Sequence, residues 1–267
     1  MRTLRIGAEC DDVALLQHLL TLWGYNLPST GVFDKPTDEA VRLFQKSCRL
    51  TPDGIVGEMT WKSLQDDKQR EVRRLRLNDS DFVRAAASLG VDVATVKAVQ
   101  QVETGGRGGF LALNRPYILF EGHVFWRELT KAGKKPEQYM HGNEDILYEK
   151  WTKEHYKGGM GEYDRLTRAL RIDERAAASA TSWGLFQIMG FNYARCGSKN
   201  VREFVNRMME NEGAQLDLFV LYVKNTGGDR YLRNLDWAGF ARYYNGPQYA
   251  QNKYDEKLAM AYMKYRE

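Results

Sequence analysis

Two short stretches near the start of the chain echo one another: Gly31-Val32-Phe33-Asp34-Lys35-Pro36-Thr37 and Gly54-Ile55-Val56-Gly57-Glu58-Met59-Thr60. In each, a glycine turn leads into apolar residues and then a threonine. Each threonine falls where a helix N-cap is expected, its hydroxyl free to accept an orphan backbone N–H. Ala40, Val41 and Phe44 follow the first at helical spacing, and Trp61 and Leu64 follow the second. Val13, Leu16, Leu20 and Trp23 form another helical stripe ahead of both. The pattern predicts a small three-helix domain over residues 1–65, close to the shortest chain that sustains its own core. Trp23, Phe44 and Trp61 are expected inside that core.

A chain of 267 residues exceeds the usual single-core size, so a second domain should follow. Residues 66–80 are dense in charge and contain neither Gly nor Pro. They predict a short helical or extended connector and exclude a flexible Gly/Ser tether. Residues 81–267 then form the larger domain, and the whole chain reads as mainly α. With 43% hydrophobic and 28% charged residues, the composition is that of a folded globular protein. A net charge of +4 suits approach to an anionic wall but is too weak to argue for nucleic acid. No apolar run approaches the roughly 20 residues that a membrane-spanning helix needs. Glu9, Asp11 and Asp12 interrupt any secretory leader, so synthesis in the cytoplasm and another exit route are expected. Cys10, Cys48 and Cys196 are too few for a disulfide framework and are expected as buried free thiols. His18, His123, His141 and His155 show no metal-ligand spacing, so no metal and no cofactor are expected.

Within the larger domain, Ser80 or Asp81 is positioned to cap one helix and Asp92 the next. Val96 and Val99 mark the apolar face of that second helix, and counting seven from the first or four from the second reaches Glu103. The carboxyl therefore projects from the buried face, just ahead of Thr104 and the helix-stopping Gly105-Gly106. Desolvation and the negative end of the helix dipole both disfavour its ionisation. An acid that stays protonated near neutral pH is what glycosidic cleavage requires. Farther on, Ser182-Trp183-Gly184-Leu185-Phe186-Gln187-Ile188-Met189-Gly190 reads as a small-residue turn entering an apolar run. A Gln there must find partners for its amide, either sugar groups or backbone. Phe240, Tyr243 and Tyr244 lead into an Asn245-Gly246-Pro247 break, which suits a cleft edge.

These residues carry two resemblances. Asp12-Val13, Leu15-Leu16-Gln17, Gly31-Val32-Phe33, Phe44-Gln45, Asp53-Gly54-Ile55-Val56-Gly57 and Thr60-Trp61 resemble the peptidoglycan-binding domain of wall hydrolases. Glu103-Thr104, Gly184 to Met189 and Tyr243-Tyr244-Asn245-Gly246 resemble the three signature blocks of the lysozyme-like superfamily. Pro116 to His123, Ala180 to Gly190 and Tyr254-Asp255 with Lys257-Leu258-Ala259 look most like the N-acetylmuramidase domain of modular phage endolysins. The resemblance implies a lysozyme-like helical domain, with a small strand element near Tyr117 to Phe120. It implies Glu103 as proton donor, with Gln187, Tyr244 and Asn245 lining the saccharide cleft and Ser182 beside them as a further substrate-binding candidate. By the same analogy the partner is peptidoglycan glycan, the protein is a monomer, and it waits in the host cytoplasm for a holin-like release partner before reaching the periplasm and wall.

The long stretch between Glu103 and Trp183 reads as cleft wall or lid. Hydrolysis usually wants a second carboxylate, and Glu121, at a helix start, is the first candidate, with Asp173 and Glu174 weaker. A first-turn Glu serving the helix dipole is the plainer role for Glu121. Hydrolysis, a transglycosylase closing an anhydro ring, a wall-binding protein without turnover, and a tail-associated structural protein with local lytic activity are the readings the sequence leaves.

Overall fold

The first apolar stripe becomes α1 (Asp11–Leu22), and the two echoed segments lead into α2 (Lys35–Ser47) and α3 (Glu58–Leu64). The computed structural model describes residues 1–25, 27–67 and 74–266. It divides into a unit of Met1–Arg74 and a unit of Leu75–Glu267. In the first, Val13, Leu16, Leu20, Val41, Phe44 and Leu64 are fully buried. Trp23 and Trp61 join this core, their indole N–H groups donating 2.8 Å bonds to the carbonyls of Leu64 and Arg2.

The caps lie earlier than the threonines. Asp34 caps α2 by accepting the Thr37 N–H at 3.0 Å, and Gly57 opens α3. Thr37 and Thr60 instead serve a repeated internal clasp. The buried Gln17 amide donates to Thr37 Oγ1 and the Val32 carbonyl, both at 3.0 Å, while its oxygen accepts the Gly31 N–H. Gln45 does the same one repeat later, donating to Thr60 Oγ1 (3.3 Å) and the Ile55 carbonyl (2.9 Å) and accepting from Gly54. Each Gln, itself buried, finds partners for its amide in the backbone of the turn ahead of the next helix and so holds that turn in place.

The second unit starts inside the expected connector. Leu75 accepts the Glu212 N–H at 2.8 Å, and the Glu212 carboxylate accepts from the Leu77 N–H and Arg76, both at 3.0 Å. Residues 75–78 thus belong to this unit, whereas residues 68–73 of the expected connector lie outside the described residues. Asn78, rather than Ser80 or Asp81, caps α4 (Asp79–Leu89); Asp81 reaches back to the Asn78 N–H and completes a capping box. α5 (Val93–Thr104) is capped by Asp92, which accepts from Thr95 at 2.7 Å. Its Val96 and Val99 enter the main core. Its Ala94 and Ala98 let α13 (Tyr254–Arg266) approach closely through Ala261, with Tyr262 donating back to Asp92.

A two-stranded hairpin of β1 (Phe110–Ala112) and β2 (Arg115–Pro116) follows, then β3 (Ile118–Phe120). β3 pairs antiparallel with β4 (Thr181–Trp183), which pairs with β5 (Ile188–Met189). The strand expected near Tyr117 to Phe120 is there; the turn and apolar run over 181–189 form a hairpin, which their sequence pattern does not predict. The other helices are α6 (Gly122–Lys131), α7 (Met160–Ile172) on β3, α8 (Glu174–Ser179) on β4, α9 (Val201–Glu210), α10 (Glu212–Asn225), α11 (Asp229–Arg233) and α12 (Trp237–Asn245). Phe120, Phe125, Phe204, Phe219 and Phe240 form the heart of the core.

The long insertion between Glu103 and Trp183 is held by a fully buried ion pair, Glu162 to Arg165 at 2.8 Å. Glu162 also accepts the N–H groups of Lys157, Gly158 and Phe120. Arg165 donates to the carbonyls of Phe120 and Asp145. Cys196 is buried, and burial pushes its thiol up to about 12, whereas Cys10 and Cys48 are only half-buried. Among the described residues, no helix is long and apolar enough to cross a membrane.

Candidate active site

Glu103 is the next-to-last residue of α5, and Gly105 in the left-handed region (φ 58°) stops the helix behind it. Asn245 is the last residue of α12, ended by Gly246. The two meet: Asn245 Nδ2 donates to Glu103 Oε1 at 3.1 Å. Burial pushes the Glu103 carboxyl up from 4.5 to about 7, and the Asn245 hydrogen bond opposes part of that rise. The carbonyl ends of α5 and α12 lie on either side of this pair, a polarity that also opposes negative charge. A carboxylic acid still half protonated at neutral pH, with its charged form steadied by an amide, is equipped to donate a proton.

Tyr244 adjoins the pair and connects it to the sheet. Its hydroxyl donates to the Phe186 carbonyl at 3.3 Å, and its ring packs against Phe219 and Phe240. Burial first, and then the neighbouring Glu103 charge, hold its ionisation well above the usual phenol range, so it remains a neutral hydrogen-bonding group. Gln187 follows Phe186 at the tip of the β4–β5 hairpin. It is exposed and holds φ of 50°, a left-handed conformation that costs a non-glycine residue. Three bonds keep its amide in place: donation to the carbonyls of Gly184 (2.8 Å) and Tyr117 (3.2 Å), and acceptance from Ser182 Oγ (3.0 Å). Backbone and a hydroxyl are therefore its partners here, with the amide at an exposed edge.

Two sets of expected residues are thus linked: Glu103 with Asn245 and Tyr244, and Ser182 with Gln187, joined through Phe186. Glu121 stands apart from them along the sheet. It stands at the N-cap position of α6, without a side-chain capping bond, just beyond the far end of β3 from Tyr117, about 13 Å along an extended strand. Its carboxylate accepts a 2.6 Å bond from the Tyr156 hydroxyl, and His123 Nδ1 lies 3.4 Å away. Asp173 caps α8 and pairs with Lys134, and Glu174 opens that helix. Thr104 is buried, its hydroxyl accepting from Gly106 and Gln100.

Sequence reasoning missed Gln215. Fully buried on α10, it accepts the Leu185 N–H and donates to the Met208 carbonyl, both at 2.7 Å, and so fixes the base of the hairpin. Its side chain fills the space next to Gly184, which is why that position has no room for a Cβ. Glu212 and Gln215 lie three apart at the start of a helix whose buried face continues through Leu216, Leu218, Phe219 and Val220, a signal that was legible.

The Asn245 contact yields a direct expectation. Asn245→Ala removes a bond to the charged form, so the Glu103 pKa should rise. The alkaline limb of kcat/KM should then move up by about one pH unit. A pH–rate profile unchanged in the variant would mean the amide does not tune the acid.

Residues 92–266 match the family described as N-acetylmuramidase, and residues 10–64 match a peptidoglycan binding domain family. Among solved structures, that of a Burkholderia AP3 phage endolysin is 38% identical to this chain. It covers 99% of each chain with a TM-score of 0.68.

Proposed function

We propose, from the premise that this chain belongs to the N-acetylmuramidase family, that Glu103 is the general acid of a peptidoglycan hydrolase. The chain is a modular enzyme of that class, a lysozyme-type glycoside hydrolase with a peptidoglycan-binding domain ahead of it. The observation that carries the assignment is the Glu103–Asn245 pair, a carboxyl held near neutral pKa with one polar partner. Its proton goes to the bridging oxygen between N-acetylmuramic acid and N-acetylglucosamine as that C–O bond breaks. Water then adds its oxygen to the muramyl carbon and gives up a proton, which returns to the Glu103 carboxylate and restores the acid. Gln187, Ser182, Tyr244 and Asn245 form the polar edge along which the saccharide lies. Mass spectrometry of digested peptidoglycan should show reducing muramic ends; anhydromuramyl ends would replace hydrolysis by transglycosylation.

Glu121 is assigned a different task from the second carboxylate. Its bond to Tyr156, and the further bond from Trp151 to Tyr156 at 3.1 Å, support a role in anchoring the insertion. Glu121→Gln and Tyr156→Phe should each leave kcat within about threefold of the parent, against the 10²–10⁴ typical of a lost general acid. A loss of that larger size in Glu121→Gln alone would restore the catalytic role.

By this proposal the protein waits in the host cytoplasm as a monomer until a holin-like partner opens the membrane, and then acts on the wall.

A further inference from the structure

We propose that a groove on the reverse face of the β3–β4–β5 sheet binds a phosphate-headed lipid, its alkyl chain between α7 and α9 and its head at a cationic rim. Successive strand residues face opposite sides of a sheet. Ser182 turns toward Gln187, so Trp183 turns the other way, and it floors a cavity of about 730 Å³. The groove is therefore separate from the residues around Glu103.

Two aliphatic stripes face each other across it. Leu166 and Leu170 lie four apart on α7, and Val201, Val205 and Met209 recur every fourth residue on α9. Residues four apart stack along one side of a helix. The α9 stripe therefore runs about 12 Å along an elongated slot whose sides are mainly aliphatic, with Thr167, Tyr193 and Asn200 among its polar lining. An alkyl chain matches such walls, because removing apolar surface from water is its only demand.

The rim has the opposite character. Arg115, Arg175, Lys199 and Arg202 surround the mouth against one carboxylate, Glu174. Arg115 lies over the Tyr163 ring at 4.9 Å. Among the described residues, none of the four makes an ion pair. Cations left unpaired around an apolar slot complement a ligand with an anionic head and a greasy tail, and arginine forks suit a phosphate in particular. The site does not depend on catalysis by Glu103.

The test uses the full chain labelled with ¹³C at the methionine methyls, titrated with dodecyl phosphate below its micelle concentration. Met209 reports the groove, while Met260 and Met263, 73% and 58% exposed on α13, report indiscriminate surfactant contact. The Met209 signal should shift saturably while those of Met260 and Met263 stay still. Arg175→Ala combined with Arg202→Ala should weaken binding by about tenfold or more. Glu103→Gln should bind like the parent, which separates this proposal from the catalytic one. Equal binding of dodecyl maltoside would remove the role of the rim, and equal binding of inorganic phosphate would remove the role of the stripes. Either result overturns the proposal. So would parallel shifts at Met260 and Met263, no shift at Met209, or a Met209 shift produced by muropeptides in preference to dodecyl phosphate.

Discussion

Glu103→Gln is expected to cut peptidoglycan turnover by about 10²–10⁴-fold while leaving wall binding intact. The amide keeps the size of the carboxyl and its contact with Asn245 but has no proton to give. Release of reducing ends from purified walls measures the loss, and a pull-down on the same walls measures binding. Retention of more than a tenth of the parent rate would end the case for Glu103. The same variant should be more stable than the parent at alkaline pH. In the native chain this carboxyl keeps its proton up to about 7, whereas its ordinary value is 4.5. Stability from the protonated native form is therefore full below 4.5 and is lost as the pH rises through 7. Glutamine suffers no such loss, so Glu103→Gln should gain about 2–3 kcal/mol over the parent at pH 8 and nothing at pH 4. Urea unfolding at the two pH values tests this. Equal stability at both would mean that the parent carboxyl ionises without cost.

Arg165→Ala should destabilise the second unit by about 3–5 kcal/mol, the range for removing one member of a buried ion pair. Glu162 would remain fully enclosed with its charge opposed only by backbone N–H groups, and the carbonyls of Phe120 and Asp145 would lose their donors. Because the pair joins the insertion to β3, the loss should appear as an earlier unfolding midpoint in urea. A double replacement, Glu162→Gln with Arg165→Met, should recover part of the loss by removing both charges together. A change below about 1 kcal/mol in Arg165→Ala would show that the clasp is dispensable.

Helical spacing is a local property, and it made much of this protein legible. The stripe through Val96, Val99 and Glu103 placed the acid on the inner face of α5, and the glycines after Thr104 placed it at the helix end. Asp92 was recognisable as a cap because a cap and its recipient N–H are three residues apart. The threonines of the repeat misled for a related reason. Asp34 and Thr37 both have capping side chains, and only the fold decided that Asp34 takes the helix end while Thr37 serves Gln17. The Gln17 and Gln45 clasps span from nine to twenty residues, beyond any local pattern.

Around Glu103, the amino-acid order by itself offered this carboxyl as the candidate acid, placed it at a helix terminus, and marked a polar Tyr-Asn block and a Gln-bearing turn as its candidate companions. The fold alone decided who touches whom. Asn245 meets Glu103 across 142 positions of chain, Gln187 is held by Tyr117 just ahead of β3, and Glu121 is turned to Tyr156. Periodicity reports which face of one element is apolar, because that depends on neighbours a few residues away. A proton affinity depends on the water removed and the dipoles gathered around a group, and those come from segments that only packing brings together.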